Sequence, residues 1–218
     1  LGGSHISGDP VGTMELIEAD YGFVGEVELA IEVFIKPGAL LFPEYLPNLV
    51  WRNGREIVIN KRTSYLNLDK IKFPAWPLMK LSEYPTAPHG GFCKRTPVAP
   101  LIVSRGCPFA CTFCAGPSVT GKKIRYRSVQ NVIEEIKLLY HQYGVREIHI
   151  VDDNFTLKRD YVVQFCNEVM KSGLDIAFAL PNGVRLDTFD QDLLLLMEAT
   201  GFYSMAVGIE SGSDRVLK

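Results

Sequence analysis

Three of the five cysteines, Cys107, Cys111 and Cys114, fall within one eight-residue segment with the spacing C-x3-C-x2-C. Three thiolates at this spacing can bind three irons of a 4Fe-4S cluster, and the fourth iron then has no protein ligand. An open coordination position is where a metal site performs chemistry, as it is in catalytic zinc sites. The segment therefore predicts an iron–sulfur centre with a catalytic role.

A zinc site is the main alternative for these cysteines. Its fourth ligand would be His89 or Cys93, but zinc sites favour paired C-x2-C ligands over a compact triplet. A second alternative is that the three cysteines are structural and lie close together by chance. A crowded triplet is also a poor disulfide framework, which favours a reducing cytoplasm as the location of the protein.

The elements that would position this segment begin at residue 99, where short apolar runs alternate with segments of helical apolar spacing. We predict strand 100–104, helix 128–143, strand 147–151, helix 159–171, strand 175–180, helix 189–200 and strand 204–209. Strands that alternate with single helices imply right-handed crossovers and a parallel sheet. The cysteine segment follows the first strand, so we expect it at the carboxyl edge of the sheet, where α/β barrels build active sites.

Residues 99–218 hold about four strand–helix units, whereas a closed eight-unit barrel usually needs about 200 residues or more. We therefore predict an α/β protein with a partial parallel (β/α) barrel that is truncated at its carboxyl end. Residues 41–98 are rich in proline, which excludes long helices and predicts a linker with a small hairpin around Asn53-Gly54.

The first part of the chain, residues 1–40, has a different pattern. A glycine turn and a polar loop precede an apolar strand at 21–24 and a helix at 26–35. This order is typical of the last strand and helix of an α/β domain. A glycine pair near the start, Gly2-Gly3, would let the backbone approach a ligand closely.

Bulk composition excludes several classes of protein. The 218 residues are 47% hydrophobic, which is enough to bury a core. A net charge of −2 gives no overall field that would attract nucleic acid or an anionic membrane, so nucleic-acid binding is not expected. No apolar stretch reaches the roughly 18 to 20 residues of a membrane span, and no apolar leader opens the chain. We predict a soluble cytoplasmic protein whose first residue is a cut within a longer chain.

With Phe113 directly before the third cysteine, the motif resembles the signature of the radical S-adenosylmethionine superfamily, C-x3-C-x-aromatic-C on a loop after the first barrel strand. The resemblance implies that the open iron of a 4Fe-4S cluster chelates the amino and carboxylate groups of S-adenosylmethionine. One electron from the cluster would then cleave this cofactor to methionine and a 5'-deoxyadenosyl radical. It also implies a small-molecule substrate and an external electron donor such as flavodoxin or ferredoxin.

Polar residues at three later strand ends extend the resemblance. Asp153 and Asn154 stand where the subgroup with an upstream cobalamin domain has acidic residues, and they would hydrogen-bond the methionine end of the cofactor. Arg185 would pair with its carboxylate, while Glu210, with Ser211 beside it, would bind the ribose hydroxyls. Taken singly, an acidic pair at a strand end is more often a turn or a helix cap.

Gly2-Gly3, followed by His5, resembles the closing glycine pair of a Rossmann-like cobalamin-binding domain, although His5 could equally be a loop histidine. The resemblance implies cobalamin in the full-length parent and leaves open whether this chain binds it. Methyl transfer to carbon is then the leading reaction. Ring formation by a radical oxidoreductase or cyclase and methylthio transfer are the enzymatic alternatives, and a zinc-stabilised binding module is the non-enzymatic one.

Other features of the sequence favour simpler interpretations. Segment 116–122 matches most of a phosphate-binding P-loop, but Lys123 stands where Ser or Thr should bind magnesium, so we reject it. A short basic patch beside it could contact phosphate or RNA, but a solvated loop before a helix capped by Ser128 is preferred; the patch comprises Lys122, Lys123, Arg125, Tyr126 and Arg127. Cys166 is expected in the core, Cys93 is unassigned, and His141 and His149 are interpreted as structural.

Overall fold

The computed structural model describes residues 1–62, 65–84 and 91–217. The helices and strands are, in chain order, α1 (Ser4–Gly8), α2 (Pro10–Ile17), β1 (Tyr21–Phe23), α3 (Glu28–Phe34), β2 (Leu49–Asn53), β3 (Glu56–Ile59), β4 (Val98–Leu101), β5 (Ser104–Arg105), α4 (Gly116–Val119), β6 (Arg125–Tyr126), α5 (Val129–Gln142), β7 (Glu147–Ile150), α6 (Arg159–Ser172), β8 (Ala177–Arg185), α7 (Gln191–Thr200), β9 (Phe202–Gly208) and α8 (Asp214–Leu217). Two compact units are formed. The first comprises residues 1–71 and 105–125, and the second comprises residues 72–104 and 126–218.

The second unit is built on a four-stranded parallel sheet with the order β4, β7, β8, β9. Helix α5 precedes β7, α6 connects β7 to β8, and α7 connects β8 to β9. The predicted α/β fold with a parallel sheet is therefore confirmed. Within the described part of the chain the sheet is open, and every helix there is too short or too polar to cross a membrane.

The core of this unit follows from the periodicity of its helices. Helix α5 is amphipathic, and Val132, Ile136 and Leu139 on its apolar face have no exposed surface. Aromatic rings fill the space between sheet and helices, with Phe165 edge-to-face on Phe178 at 5.6 Å between ring centroids. Such pairs stabilise a core by about 0.5–1.5 kcal/mol beyond the area they bury. The predicted core position of Cys166 is confirmed, because it is fully buried in this cluster.

The first unit contains a three-stranded antiparallel sheet with the order β1, β2, β3. Strands β2 and β3 form the predicted hairpin, and Gly54 lies in its turn with a positive φ of 64°. Strand β1 pairs with β2 in the antiparallel sense, not with a parallel neighbour as the end of an α/β domain would. The division into residues 1–40, 41–98 and 99–218 stays a prediction.

The polar loop predicted ahead of β1 is wrong, because helices α1 and α2 occupy residues 4–17. Helix α2 begins with two local signals that the sequence carries. The Asp9 side chain accepts a hydrogen bond from the Gly12 amide, and Pro10 occupies the first helical position, where its missing N–H costs nothing. The predicted helix at 26–35 is present as α3, slightly shorter.

Candidate functional site

The cysteine loop lies in the first unit, within residues 105–125. Cys107 is half-buried, Cys111 and Cys114 are exposed, and none of the three forms a disulfide. The loop is closed by its own backbone, since the Cys107 amide donates to the Gly121 carbonyl at 3.1 Å and the Cys114 amide to the Cys111 carbonyl at 3.2 Å. The three thiols are thus held on a short ordered loop and are available as metal ligands.

Two glycines make this loop possible. Gly106, directly before Cys107, has a φ of 95°, and a Cβ there would lie 2.4 Å from the Lys123 carbonyl oxygen. Gly121 has a φ of 80°, and a Cβ there would lie 1.9 Å from the Tyr65 hydroxyl. Both positions demand glycine through backbone conformation and through close packing.

The chemistry of the thiols fits a 4Fe-4S cluster. The Gly116 amide donates to the Cys114 Sγ at 3.3 Å, and such hydrogen bonds to sulfur tune the potential of iron–sulfur centres. A single tetrahedral ion would need its ligand atoms drawn close together. Among described residues, the ligand atoms that converge within 4.8 Å belong to Cys93, Glu147 and His149, not to the cysteine loop. The other proposed zinc ligand, His89, lies outside the described residues.

Both ends of the cysteine loop are bound by one carboxylate that the sequence did not reveal. The Glu26 side chain, 11% exposed, accepts from Arg125 Nη1 at 2.9 Å and lies 3.6 Å from Arg105 Nη1. Arg105 also pairs with Glu28 at 2.7 Å. The Arg125 guanidinium lies over the Tyr65 ring, 4.1 Å from its centroid. These contacts stabilise the positions at which the loop begins and ends.

The preferred interpretation of the basic residues as a solvated loop is wrong for Arg125 and Arg127. Arg125 is an ion-pair partner of Glu26, with only 11% of its side chain exposed. In the second unit, Arg127 Nη1 lies 2.6 Å from Glu135 Oε2, and the Trp76 indole donates to the other Glu135 oxygen at 2.9 Å. The predicted Ser128 cap of α5 is present, because its side chain accepts from the backbone of the first turn. Arg125 and Arg127 are therefore structural.

At the carboxyl end of β7, Asp152 binds the chain that follows β4. Its carboxylate accepts hydrogen bonds from the Val103 amide at 2.7 Å, the Ser104 amide at 2.8 Å and the Ser104 hydroxyl at 2.6 Å. Burial raises the pKa of Asp152 to about 7, although the hydrogen bonds from Ser104 and Val103 lower it. The sequence predicted a binding role for Asp153 and Asn154 but not for Asp152. The role of Asp152 depends on its contact with Val103, which is 49 residues away in the chain.

The Asp152→Asn variant should be less stable than the wild type, and its free energy of unfolding should lose the pH dependence that Asp152 contributes. Because the folded-state pKa lies above the ordinary value of 3.8, the folded protein binds an extra proton between about pH 4 and 7, so its free energy of unfolding falls as pH rises through that window. The amide cannot ionise, and its NH2 group would face donors of Ser104. We expect the free energy of unfolding of the variant to be about 1–3 kcal/mol below that of the wild type near pH 5, and this difference should become smaller toward pH 8. Urea denaturation at each pH measures it.

The matched control for this prediction is Asp153→Asn. Asp153 is exposed, so removing its charge should change the free energy of unfolding by less than about 0.5 kcal/mol at either pH. A constant difference between wild type and Asp152→Asn across the window would contradict the raised pKa.

Asp153 and Asn154 both follow β7, but the structure places them differently. Asp153 is exposed, whereas Asn154 is 2% exposed and its Oδ1 accepts from the Thr156 hydroxyl at 3.4 Å. The Asn154 Nδ2 is buried and donates to no other described residue. A buried amide donor without a protein acceptor fits a group that binds an additional ligand.

Arg185 is the last residue of β8, at the carboxyl edge. A bulge between Leu180 and Val184 precedes it, with Gly183 at a φ of 92°, and bulges of this kind redirect side chains next to functional sites. The Arg185 guanidinium binds Asp187 through two hydrogen bonds of 2.6 and 2.9 Å, which lower the pKa of the Asp187 carboxyl. Arg185 therefore already has a carboxylate partner.

Glu210 and Ser211 follow β9. Glu210 is exposed and has a φ of 60°, a left-handed conformation that costs a non-glycine residue about 1–3 kcal/mol. The Ser211 hydroxyl accepts from the Ser213 amide at 3.1 Å. Because β7, β8 and β9 are parallel neighbours, their carboxyl ends share one edge of the sheet. The strand-end residues chosen from the sequence thus share this edge.

The remaining predicted residues are on the surface. Phe113 is 71% exposed on the cysteine loop. Gly2 and Gly3 precede α1, and a Cβ built at either one meets no described atom within 4 Å, so their backbone is open to a ligand. His5 is exposed on α1.

Comparison with known proteins identifies the family. The model of the radical SAM superfamily matches residues 101–218, more than half of the chain. The chain therefore belongs to the radical SAM superfamily.

Two curated relatives are methyltransferases by name. An uncharacterized methyltransferase, PH0819, of Pyrococcus horikoshii is 31% identical over 223 residues, covering 100% of this chain and 46% of the relative. The cytidylyl-2-hydroxyethylphosphonate methyltransferase of Streptomyces wedmorensis is 39% identical over 153 residues, covering 69% of this chain and 28% of the relative. The chain thus spans less than half the length of these relatives.

Among solved structures, the radical S-adenosylmethionine methyltransferase TsrM of Kitasatospora setae, with cobalamin and a 4Fe-4S cluster bound, has a TM-score of 0.74 and 19% identity. The match covers 99% of this chain and 42% of TsrM. At this identity the likeness establishes the fold alone.

Proposed function

We propose that this chain is the cluster-binding part of a cobalamin-linked radical SAM enzyme that transfers a methyl group to carbon. The observation that carries the proposal is the triplet of cysteines without disulfides on one short loop, in a chain of this superfamily. Methyltransferase relatives and a cobalamin-containing structural neighbour support the finer assignment.

The cysteine loop performs the first task of this function. Cys107, Cys111 and Cys114 would each bind one iron, and the fourth iron would be open to the amino and carboxylate groups of S-adenosylmethionine. When bound, the cluster supplies the electron that cleaves this cofactor reductively. The Gly116 amide donates a hydrogen bond to the Cys114 sulfur, and such a bond would favour the reduced state of a cluster held there.

The strand-end residues would bind S-adenosylmethionine. Asp153 can accept hydrogen bonds from an ammonium group, and the free Nδ2 of Asn154 can donate one to a carboxylate. Arg185 offers a planar guanidinium for a carboxylate, in competition with Asp187. Glu210 and Ser211 carry acceptors suited to ribose hydroxyls. Gly2 and Gly3 present an open backbone against which cobalamin could lie in the full-length protein.

The test is anaerobic reconstitution of the full-length protein. We expect about four irons and four sulfides per chain, and S-adenosylmethionine with a reductant should yield 5'-deoxyadenosine. Methyl transfer predicts S-adenosylhomocysteine as well, formed only when cobalamin is present. Formation of deoxyadenosine without S-adenosylhomocysteine would contradict methyl transfer and favour ring-forming chemistry. Ring formation is the second candidate because the chain is similar to an anaerobic magnesium-protoporphyrin IX monomethyl ester cyclase of Rubrivivax gelatinosus. Absence of an iron–sulfur centre would contradict both.

A further inference from the structure

A second group of metal-ligand side chains lies in the second unit. One ligand atom each of Cys93, Glu147 and His149 falls within 4.8 Å of the other two. Glu147 and His149 are two residues apart on β7, so both point to the same face of the sheet, and they are 0% and 2% exposed. Cys93 is half-buried on the segment that leads into β4. Neither the cysteine loop nor the strand-end residues include this group.

We propose that Cys93, Glu147 and His149 bind one zinc ion. The donor set of thiolate sulfur, imidazole nitrogen and carboxylate oxygen is one that zinc accepts, whereas magnesium and calcium require oxygen ligands. The charges also balance, because a carboxylate and a thiolate neutralise a divalent cation and the imidazole ligand is neutral. A neutral complex can be buried at little electrostatic cost.

The distances allow an ion to enter with small shifts. His149 Nε2 lies 2.7 Å from Glu147 Oε1. Zinc bonds of about 2.0–2.2 Å in tetrahedral geometry place such donor atoms about 3.2–3.6 Å apart. The two side chains would therefore separate by less than about 1 Å, and the ion would replace their direct hydrogen bond.

The glutamate is oriented by partners outside the ligand group. The Tyr203 hydroxyl lies 2.7 Å from Glu147 Oε1, and the Arg95 amide donates to Glu147 Oε2 at 2.6 Å. Hydrogen bonds of this kind fix the direction of ligating carboxylates in metal sites. Tyr203 is on β9, so these contacts connect the segment around Cys93 to two strands of the sheet.

The location separates this ion from the strand-end residues predicted to bind the cofactor. Glu147 is the first residue of β7 and Tyr203 the second of β9, so the group lies at the amino ends of the strands. The strand-end residues Asp153, Arg185 and Glu210 are at the opposite, carboxyl ends, where α/β folds carry catalysis. An ion here would fix the segment before β4 to the edge of the sheet formed by the amino ends of the strands. The competing interpretation is a metal-free buried pair of Glu147 and His149.

Metal titration of the full chain distinguishes these interpretations. Cys107, Cys111 and Cys114 are all replaced by Ser, so that no iron–sulfur centre contributes to the signal. We expect about one equivalent of zinc by elemental analysis after dialysis. Cobalt added to the metal-free protein should produce a thiolate-to-cobalt charge-transfer band, and zinc should raise the melting temperature.

Matched variants in the same background locate the ion. Cys93→Ser should remove the charge-transfer band, and both Cys93→Ser and His149→Gln should weaken zinc binding by at least about 100-fold. Cys166→Ala, which removes a buried thiol elsewhere, should leave the band and the affinity unchanged. Circular dichroism checks that each variant is folded. Absence of zinc binding in the background protein, or binding that survives Cys93→Ser and His149→Gln, would overturn the proposal in favour of the metal-free pair.

Discussion

Replacing Cys111 with Ala in the full-length protein should abolish 5'-deoxyadenosine formation. Cys111 is an exposed, free thiol in the middle of the triplet, and a cluster deprived of one of its three thiolates has two irons without protein ligands. We expect the iron content after anaerobic reconstitution to fall well below about four per chain, and deoxyadenosine to fall by more than about 100-fold. Iron and sulfide assays and mass spectrometry of the nucleoside products measure these two effects.

Cys166→Ala is the control for this experiment. Cys166 is fully buried in the hydrophobic core of the second unit, so its loss removes packing and no ligand. It should lower the free energy of unfolding by about 1 kcal/mol while leaving iron content unchanged. Wild-type turnover in Cys111→Ala would refute the cluster assignment. Equal losses of iron in the two variants would mean that the effect comes from instability.

Much of the second unit could be predicted because its elements carry strong periodic patterns. The helix predicted over 128–143 is α5, Val129–Gln142, since its apolar residues recur at helical spacing and its cap residue, Ser128, is local. The strand predicted over 147–151 is β7, Glu147–Ile150. Segments with periodic apolar residues or a local cap were therefore predicted correctly. The parallel arrangement of the strands followed from the alternation of strands and helices along the chain.

The errors fall where local signals are weak or misleading. Helix α1 has only five residues and begins after two glycines, so its sequence carries little helical preference. The strand predicted over 175–180 continues to Arg185 in the structure, because the chain resumes its pairing with β9 after a bulge between Leu180 and Val184. Only this pairing with β9 decides where the strand ends.

Contacts between residues far apart in the chain could not be predicted. Arg125 and Glu26 are 99 residues apart, and Asp152 lies 48 residues from Ser104. A single sequence shows that these residues are charged or polar, but it does not show which partner each one has. The cysteine triplet could be identified because all three members lie in one segment. The residues that hold its loop in place could not.

Glu26→Gln should therefore have a large effect that sequence patterns do not suggest. The variant keeps the size of the side chain but removes the charge that binds Arg125 and contacts Arg105, at the two ends of the cysteine loop. Arg125, with 11% of its side chain exposed, would be left without its carboxylate partner. Loss of one member of a buried ion pair typically costs about 3–5 kcal/mol. Because this pair is partly solvated, we expect the free energy of unfolding to fall by an amount near the lower figure.

Glu28→Gln is the matched control, since among the described residues Glu28 forms an ion pair with Arg105 only, and 30% of its side chain is exposed. A pair of this exposure contributes about 0.2–1 kcal/mol, so its loss should have little effect. Urea denaturation measures the stability difference. The rate at which a chelator removes iron from the reconstituted protein reports on the loop itself. If Glu26 positions both ends of the loop, Glu26→Gln should release iron several-fold faster than Glu28→Gln, and equal rates in the two variants would show that the loop keeps its shape without that carboxylate.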